Sequence, residues 1–183
     1  MPPVGYNETV NVEQMVYHKE SIVAEDTVTL AGVYAGWDDF NKKLVEALAP
    51  LSDEQLDLRV APSQRSAREI IQHLVRTRAS WFELLGATDP EWQSFLTWDR
   101  PGQPTRDATE IVTGVEATQR LLNDMLAGWT VADLAEKYEG DWRGEPYSLT
   151  RQWVIQHVLE HDHFHGGELF LTLGAHGIST PDL

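Results

Sequence analysis

The stretch Gln156-His157-Val158-Leu159-Glu160-His161-Asp162-His163-Phe164-His165-Gly166-Gly167-Glu168-Leu169 decides the fold, because four of the chain's 7 histidines lie within it. Each residue of an α-helix advances about 100° around the helix axis. That spacing puts His161 and His165 one turn apart on a face shared with Val154, His157, Val158 and Leu169, and it puts His163 on nearly the opposite face. Two imidazoles at positions i and i+4 can bind one metal ion from the same side. The pattern therefore predicts a helix that offers His161 and His165 as metal ligands.

A third histidine, His73, lies in a second segment with helical spacing, among Ile70, Leu74, Thr77 and Trp81. A neutral imidazole that faces inward at such a position needs a polar partner. A metal ion bound by the histidines of the later helix would be such a partner, so we expect His73 to be the third ligand. The alternative is that these histidines are satisfied core or surface residues that bind no metal.

The two histidine segments resemble those of the DinB-like metalloproteins, also described as DinB/YfiT-like four-helix proteins. The family has one histidine in its second helix, often followed by leucine, as in His73-Leu74 here. It also has a late motif close to His-Glu-x-His-His-Arg-Gly-Gln, which reads His161-Asp162-His163-Phe164-His165-Gly166-Gly167-Glu168 here. The resemblance covers roughly residues 27 to 175 and implies that His73, His161 and His165 are the metal ligands. Phe164, Gly166 and Glu168 stand where the family has histidine, arginine and glutamine.

Composition narrows the class of protein. A chain of 183 residues suits one domain with a sizeable core. Its formal net charge is −15, from 29 acidic residues against 14 lysines and arginines, so its surface repels phosphate backbones and we expect no nucleic-acid partner. The chain has no cysteine, which excludes disulfides and protein thiol ligands.

Two further features concern location. The first residues, Met1-Pro2-Pro3-Val4-Gly5-Tyr6, lack the basic and apolar segments of a signal peptide. No apolar run approaches the 18 or so residues that a membrane span needs. The sequence therefore predicts a cytoplasmic protein without a membrane partner, and the absence of cysteine fits a reducing compartment.

Apolar stripes and capping patterns predict an all-α fold with four long helices. We expect these helices to run from Asp26 or Thr27 to Leu48, from Ser66 to about Leu85, from Asp107 to Gly128, and from Ser148 or Thr150 to about Leu173. A short helical turn is predicted at 52–55, further turns around 92–96, a short helix at 130–137, and a loop or short hairpin at 138–147. Residues 1–25 are predicted to be an N-terminal extension, and 26–183 the helical domain. The family resemblance implies a four-helix bundle of DinB/YfiT type, with a long crossover between helices 2 and 3 and the metal at one end of a cleft between helices 2 and 4.

Three imidazoles leave coordination positions for water or substrate, as in catalytic metal sites. Imidazole suits several transition metals; we expect one divalent ion, zinc or nickel first, then iron or manganese. His157 and Glu168 are candidates to orient a ligand or hold a water, the alternatives being a packed histidine and an exposed carboxylate. Glu160 and Asp162 are expected on the helix flanks, and His163 in solvent.

A metal ion with an open position can acidify bound water or ionise a coordinated thiol. Without cysteine in this chain, the thiol must come from a small molecule. The resemblance implies a metal-dependent enzyme that transfers a low-molecular-weight thiol in detoxification or stress response. The alternatives are a metal-hydroxide hydrolase and a non-catalytic protein that binds a small molecule or a metal. A homodimer is the other partner that we consider, and Arg68, Arg76 and Arg143 are candidates to attract an anionic thiol.

Overall fold

The computed structural model describes residues 28–142 and 144–182, and most of these residues are helical. In chain order the elements are α1 (Leu30–Val33), α2 (Ala35–Leu48), α3 (Asp53–Leu56), α4 (Ala67–Leu84), α5 (Pro90–Phe95), α6 (Ala108–Ala127), a 3₁₀ helix (Val131–Ala135), β1 (Lys137–Trp142), β2 (Glu145–Thr150) and α7 (Arg151–Ala175). The prediction of a mainly helical fold is confirmed, with one small two-stranded sheet in addition. The predicted extension, residues 1–25, lies outside the described residues.

Local capping chemistry sets where α4 and α6 begin. Ser66 and Glu69 form a reciprocal capping box at the start of α4, in which each side chain binds the other residue's backbone N–H. Asp107 and Glu110 form the same arrangement at the start of α6. A capping box satisfies two backbone N–H groups that the first helical turn leaves without partners. Both helix starts therefore agree with the prediction.

The start of α7 resolves one of the alternatives. Thr150 is the N-cap, and its hydroxyl accepts a hydrogen bond from the backbone N–H of Trp153. Ser148, the other candidate, lies inside β2. Because β2 ends where α7 begins, the hairpin is tied directly to the helix that carries the late histidines.

The predicted first helix is wrong in its N-terminal part, because the helix is interrupted at Tyr34, which separates α1 from α2. Before the break, Thr29 pairs with Thr130 in an isolated β-bridge, and the N–H of Leu30 donates to the carbonyl of Trp129 at 2.8 Å. These long-range bonds fix the direction in which the chain enters α1. Gly32, a poor helix former, lies within α1 and favours a short helix there.

The segment from 130 to 150 forms a 3₁₀ turn followed by a hairpin. The predicted short helix ends at Ala135, and Lys137 is already the first residue of β1. The strands β1 and β2 pair antiparallel, with Lys137 opposite Thr150. Of the loop and the hairpin that the sequence allowed, the structure contains the hairpin.

The core lies between the four long helices, where α4 packs on α6 and α7, and α2 packs on the same two helices. The segment between α4 and α6 is anchored by tryptophans. The indole N–H of Trp92 donates to the carbonyl of Ala79 at 2.9 Å, and the ring of Trp98 fills the space beside Gly114, where an added Cβ would lie 2.1 Å from it. None of the described helices is both long and apolar enough to cross a membrane.

A buried ion pair ties the four long helices together. Arg78 of α4 and Asp162 of α7 have no exposed side-chain surface, and the guanidinium Nε donates to the Asp162 carboxylate at 2.8 Å. The indole of Trp37 in α2 donates to the same carboxylate oxygen at 2.6 Å. Arg78 also donates to Asn41 of α2 at 3.0 Å and to Thr118 of α6 at 3.2 Å. The prediction that Asp162 lies on a helix flank is therefore wrong, because this residue is the acceptor for a charge in the core.

Candidate metal centre

The structure brings His73 of α4 together with His161 and His165 of α7. One ring nitrogen of each histidine lies within 4.8 Å of the corresponding nitrogens of the other two. The Nε2 atoms of His73 and His161 are 3.2 Å apart. The ring centroids of His161 and His165 are 4.3 Å apart, as expected for side chains one helical turn apart. These three are the residues that the sequence nominated, and they form a cluster between the two helices.

The nitrogen spacing suits a bound ion. Two nitrogens that bind one zinc ion at 2.0–2.1 Å with tetrahedral angles are about 3.3 Å apart. The 3.2 Å between His73 and His161 is close to this value. The donor set is therefore compatible with a single transition-metal ion.

Two carboxylates fix the outer nitrogens of the cluster. Nδ1 of His73 lies 2.7 Å from Oδ2 of Asp99, and Nδ1 of His165 lies 2.7 Å from Oε2 of Glu168. Carboxylate oxygens accept hydrogen bonds, so Nδ1 carries the proton and the Nε2 lone pair stays free. Histidines that bind metal ions almost always donate their other N–H in this way. Glu168 was expected either to orient a ligand or to be an exposed carboxylate, and the structure shows it in contact with His165. The contact of Asp99 with His73 was not predicted.

The imidazoles are held in the form that can bind a cation. Burial, followed by the positive charge that His165 and His73 would carry, lowers the pKa of His161 from its ordinary 6.5 to about 3. Burial also lowers the pKa of His165, although its bond to Glu168 opposes the shift. Both rings are therefore neutral near pH 7, and each keeps one nitrogen lone pair that a metal ion could bind.

The other histidines of α7 lie outside the cluster. His157 stacks on Trp153, with ring centroids 4.9 Å apart and planes at 9°, and meets Trp81 edge-on at 4.7 Å. It therefore packs against two indole rings, and its own ring centroid lies 6.3 Å from that of His161. His163 is exposed, as predicted, and its ring stacks on Phe40 at 4.4 Å.

Local packing explains why position 166 is a glycine here, where the family motif has arginine. Gly166 is buried in α7, and an added Cβ would lie 2.4 Å from Cζ of Phe40 in α2. Contacts below 3.0 Å require the neighbouring atoms to move, so the phenyl ring excludes a side chain here. Phe164, where the family has histidine, is 71% exposed. Its ring meets the ring of His165 edge-on, with centroids 5.1 Å apart, so this departure from the motif borders the cluster.

A cleft of about 770 Å³ opens beside the cluster and has His73 and His161 in its wall. Its apolar lining comes from Trp81 and Leu84 of α4 and from Tyr147 and Leu149 of β2; we call it the apolar cleft. The hairpin at the start of α7 thus supplies one side of the cavity.

The three arginines that were expected to attract an anionic thiol lie in different environments. Arg76 lines the apolar cleft, with its Nε 3.1 Å from Oδ1 of Asp99. Arg68 is buried, and its guanidinium binds Asp53 and Asp57, so its nomination was wrong. Arg143 lies outside the described residues.

The fold and the site together define a class of helical protein in which three histidines converge from two long helices. The model of the DinB superfamily matches residues 37–169, which include all three histidines, and the chain therefore belongs to this superfamily.

Solved structures agree in fold. The chain is similar to a DinB-like protein from Bacillus cereus, with 22% identity, a TM-score of 0.68, and coverage of 85% of this chain and 97% of that one. It is also similar to a conserved protein from Enterococcus faecalis, with 16% identity, a TM-score of 0.60, and coverage of 80% and 99%. At these identities the likeness concerns the fold alone. A search of curated proteins found no significant match.

Proposed function

We propose that this protein is a metal-dependent enzyme that transfers a small-molecule thiol to an electrophile, with His73, His161 and His165 as the ligands of one divalent ion. The observation that carries the proposal is the convergence of three imidazoles whose nitrogens lie within 4.8 Å of one another. The carboxylates of Asp99 and Glu168 support it, because they hold the protons of His73 and His165 on Nδ1 and leave the Nε2 lone pairs of these two residues free.

Zinc and nickel are the ions that we favour, followed by iron and manganese, because all-imidazole sites suit transition metals. Three protein ligands leave at least one position open, as in catalytic sites. When bound, the ion would supply a positive charge that keeps a coordinated thiol ionised near neutral pH.

The residues of the chain bind and orient the reactants. Asp99 and Glu168 hold the imidazole rings in place, and Trp81, Leu84 and Leu149 exclude water from an electrophile in the apolar cleft. In the transfer, the sulfur forms a bond to the electrophilic carbon, and the leaving group departs with the electron pair of the broken bond. The proton of the thiol goes to solvent.

Hydrolysis by an activated water is the alternative enzyme reaction, and simple binding of a small molecule or metal is the non-catalytic one. Both carboxylates that touch the cluster are engaged by imidazole nitrogens. A hydrolytic water would therefore have to be ionised by the metal ion itself, since one oxygen of each carboxylate is held by an imidazole nitrogen.

The topology that we infer is a four-helix bundle of DinB/YfiT type. Its support is the packing of α2, α4, α6 and α7 on one another and the anchoring of the segment between α4 and α6 by Trp92 and Trp98. Residues 26–183 would form this domain.

Cobalt-loaded protein tests the proposed reaction. We expect a small thiol to produce thiolate-to-cobalt absorbance, and thiol plus 1-chloro-2,4-dinitrobenzene to form a thioether and chloride faster than with metal-free protein. His161→Ala should abolish both signals, whereas His163→Ala, which changes an exposed histidine of the same helix, should retain them. An unchanged cobalt spectrum with every thiol, and no conjugate above the metal-free control, would refute thiol transfer.

A further inference from the structure

His73 belongs to the walls of two cavities with different chemistry. One is the apolar cleft, lined by Trp81, Leu84 and Leu149. The other has a volume of about 340 Å³, and we call it the polar pocket. Its lining consists of His73 with the polar or charged residues Arg59, Ser63, Gln64, Arg65, Glu69, Gln72 and Asp99. The two cavities share His73 and otherwise have different walls, so each borders the histidine cluster at that residue.

The polar pocket contains two arginines, of which Arg59 forms an ion pair within the described part of the chain and Arg65 does not. Arg59 donates to the carbonyl of Gln64 at 2.6 Å and to Glu69 at 2.7 Å, so its charge holds the loop before α4. Arg65, by contrast, is exposed and forms no ion pair with any residue of 28–142 or 144–182. Its guanidinium is therefore available to an anion.

Arg65 shares the wall of the polar pocket with His73. The two carboxylates of that wall are already paired, Glu69 with Arg59 and Asp99 with Arg76, so the charge of Arg65 is left unbalanced there. The chain as a whole carries a net charge of −15, so a positive group beside the cluster is a local exception. An anionic molecule would find an attractive field here and a repulsive one over most of the surface.

The apolar cleft offers the opposite chemistry. Its arginine, Arg76, lies 3.1 Å from the carboxylate of Asp99 and is thus already paired. Its wall also contains Thr77, Ser80 and Glu83, but the indole of Trp81 and the side chains of Leu84 and Leu149 present apolar surface, which binds apolar molecules through burial.

We infer that the two cavities are separate substrate subsites: the polar pocket binds the anionic group of a low-molecular-weight thiol through Arg65, and the apolar cleft binds an apolar electrophile. This inference rests on the proposed thiol transfer. Each reactant would approach the cluster from its own cavity, and the carbon–sulfur bond would form beside His73, which borders both cavities. The leaving group takes the electron pair of the broken bond, and the thiol proton goes to solvent.

The thiol subsite is tested with two probes that differ in charge, 3-mercaptopropionate and the neutral 2-mercaptoethanol. Cobalt-loaded protein is titrated with each, and binding is measured from thiolate-to-cobalt absorbance. We expect wild-type protein to prefer 3-mercaptopropionate, and Arg65→Gln to reduce that preference by up to about fivefold, the size of one exposed ion pair. Arg120→Gln is the matched control, since it removes an equal charge from an exposed pair with Glu91 on α6, and it should keep the preference.

The electrophile subsite is tested in metal-free protein with the neutral fluorescent probe N-phenyl-1-naphthylamine. Leu149→Ser and Leu84→Ser should each weaken its binding about fivefold, because each removes apolar surface from the cleft. The second variant lies on α4 rather than in the hairpin, so a folding defect of β2 would not affect both. Arg65→Gln should weaken this probe's binding less than twofold.

The outcomes separate the two proposals. If thiols bind cobalt but Arg65→Gln leaves their relative affinities unchanged, the subsite assignment is wrong and thiol transfer stands. If the leucine variants weaken thiol binding as much as naphthylamine binding, the assignment is also wrong. If neither thiol changes the cobalt spectrum, the proposed function fails and the assignment falls with it.

Discussion

Replacing Asp162 by asparagine should remove the negative charge of the buried ion pair while keeping the shape of the side chain. Arg78 would then retain a positive charge with no exposed side-chain surface and no counter-charge. Its bonds to Asn41 at 3.0 Å and Thr118 at 3.2 Å are to neutral groups and cannot replace the carboxylate. Because a buried charge without a partner is costly, we expect a large loss of stability.

Breaking a buried ion pair by removing one partner costs about 3–5 kcal/mol. A domain of ordinary stability has about 5–15 kcal/mol in total, so Asp162→Asn would lose a large share of it. With a urea dependence of about 2 kcal/mol per molar, the unfolding midpoint should fall by about 2 M.

The assay is urea unfolding of metal-free protein, followed by circular dichroism, so that metal binding does not add to the stability. Asp39→Asn is the control, since it alters an exposed pair with Lys42 and should change stability by less than about 0.5 kcal/mol. The double variant Arg78→Met with Asp162→Asn should be less destabilised than the sum of the two single variants. A change below about 1 kcal/mol for Asp162→Asn, or strict additivity, would refute the role of the pair.

Three further predictions concern α7 and the cluster. Gly166→Ala should destabilise the protein by about 1–3 kcal/mol, because the added carbon meets a phenyl ring of α2 at 2.4 Å, whereas Gly167→Ala has nothing within 4 Å and should stabilise it by about 0.5–1 kcal/mol in the same urea assay. Asp99→Asn should weaken zinc binding about 10- to 100-fold in a chelator competition, because a neutral amide no longer fixes the proton on the outer nitrogen of the ligand; unchanged affinity would contradict this role. Metal-free protein should lose stability as the pH falls from 6.5 towards 3, since in this range His161, with a pKa of about 3, takes up a proton only when unfolded. The unfolding free energy of His161→Gln should depend less on pH in this range, and an equal dependence would contradict the assignment.

Features set by neighbouring residues were predictable from the sequence. Ser66 with Glu69, and Asp107 with Glu110, have the three-residue spacing at which side chain and backbone satisfy each other, and both capping boxes are present. The convergence of His73 with the histidines of α7 was also expected, because helical spacing identifies the face on which each imidazole lies and the family resemblance implied that these faces meet.

The role of Asp162 was missed although the sequence contains a signal for it. Arg78 lies in the same helical stripe as the buried residues Ile71, Val75 and Phe82, so its charge has to be satisfied inside the core. Asp162 follows Val158 by one helical turn and lies in the matching apolar register of α7. Two opposite charges in two apolar stripes predict a buried pair.

Asp99 and the break at Tyr34 could not be predicted in this way. Asp99 reaches His73 from 26 residues away, in a segment without periodicity whose path is set by the packing of Trp98 against Gly114. The break depends on the bridge between Thr29 and Thr130, which joins distant parts of the chain. Such contacts follow from tertiary packing, and no local pattern identifies them.

The metal content of the protein tests the site most directly. Protein prepared without an affinity tag would be equilibrated with zinc, freed of loose metal by gel filtration, and analysed by mass spectrometry for zinc per chain. We predict about one zinc ion per chain in the wild type and in His163→Ala, and little or none in His161→Ala, because only the latter loses a member of the cluster. A wild type without zinc, or equal zinc in the two variants, would contradict the assignment of His73, His161 and His165 as ligands.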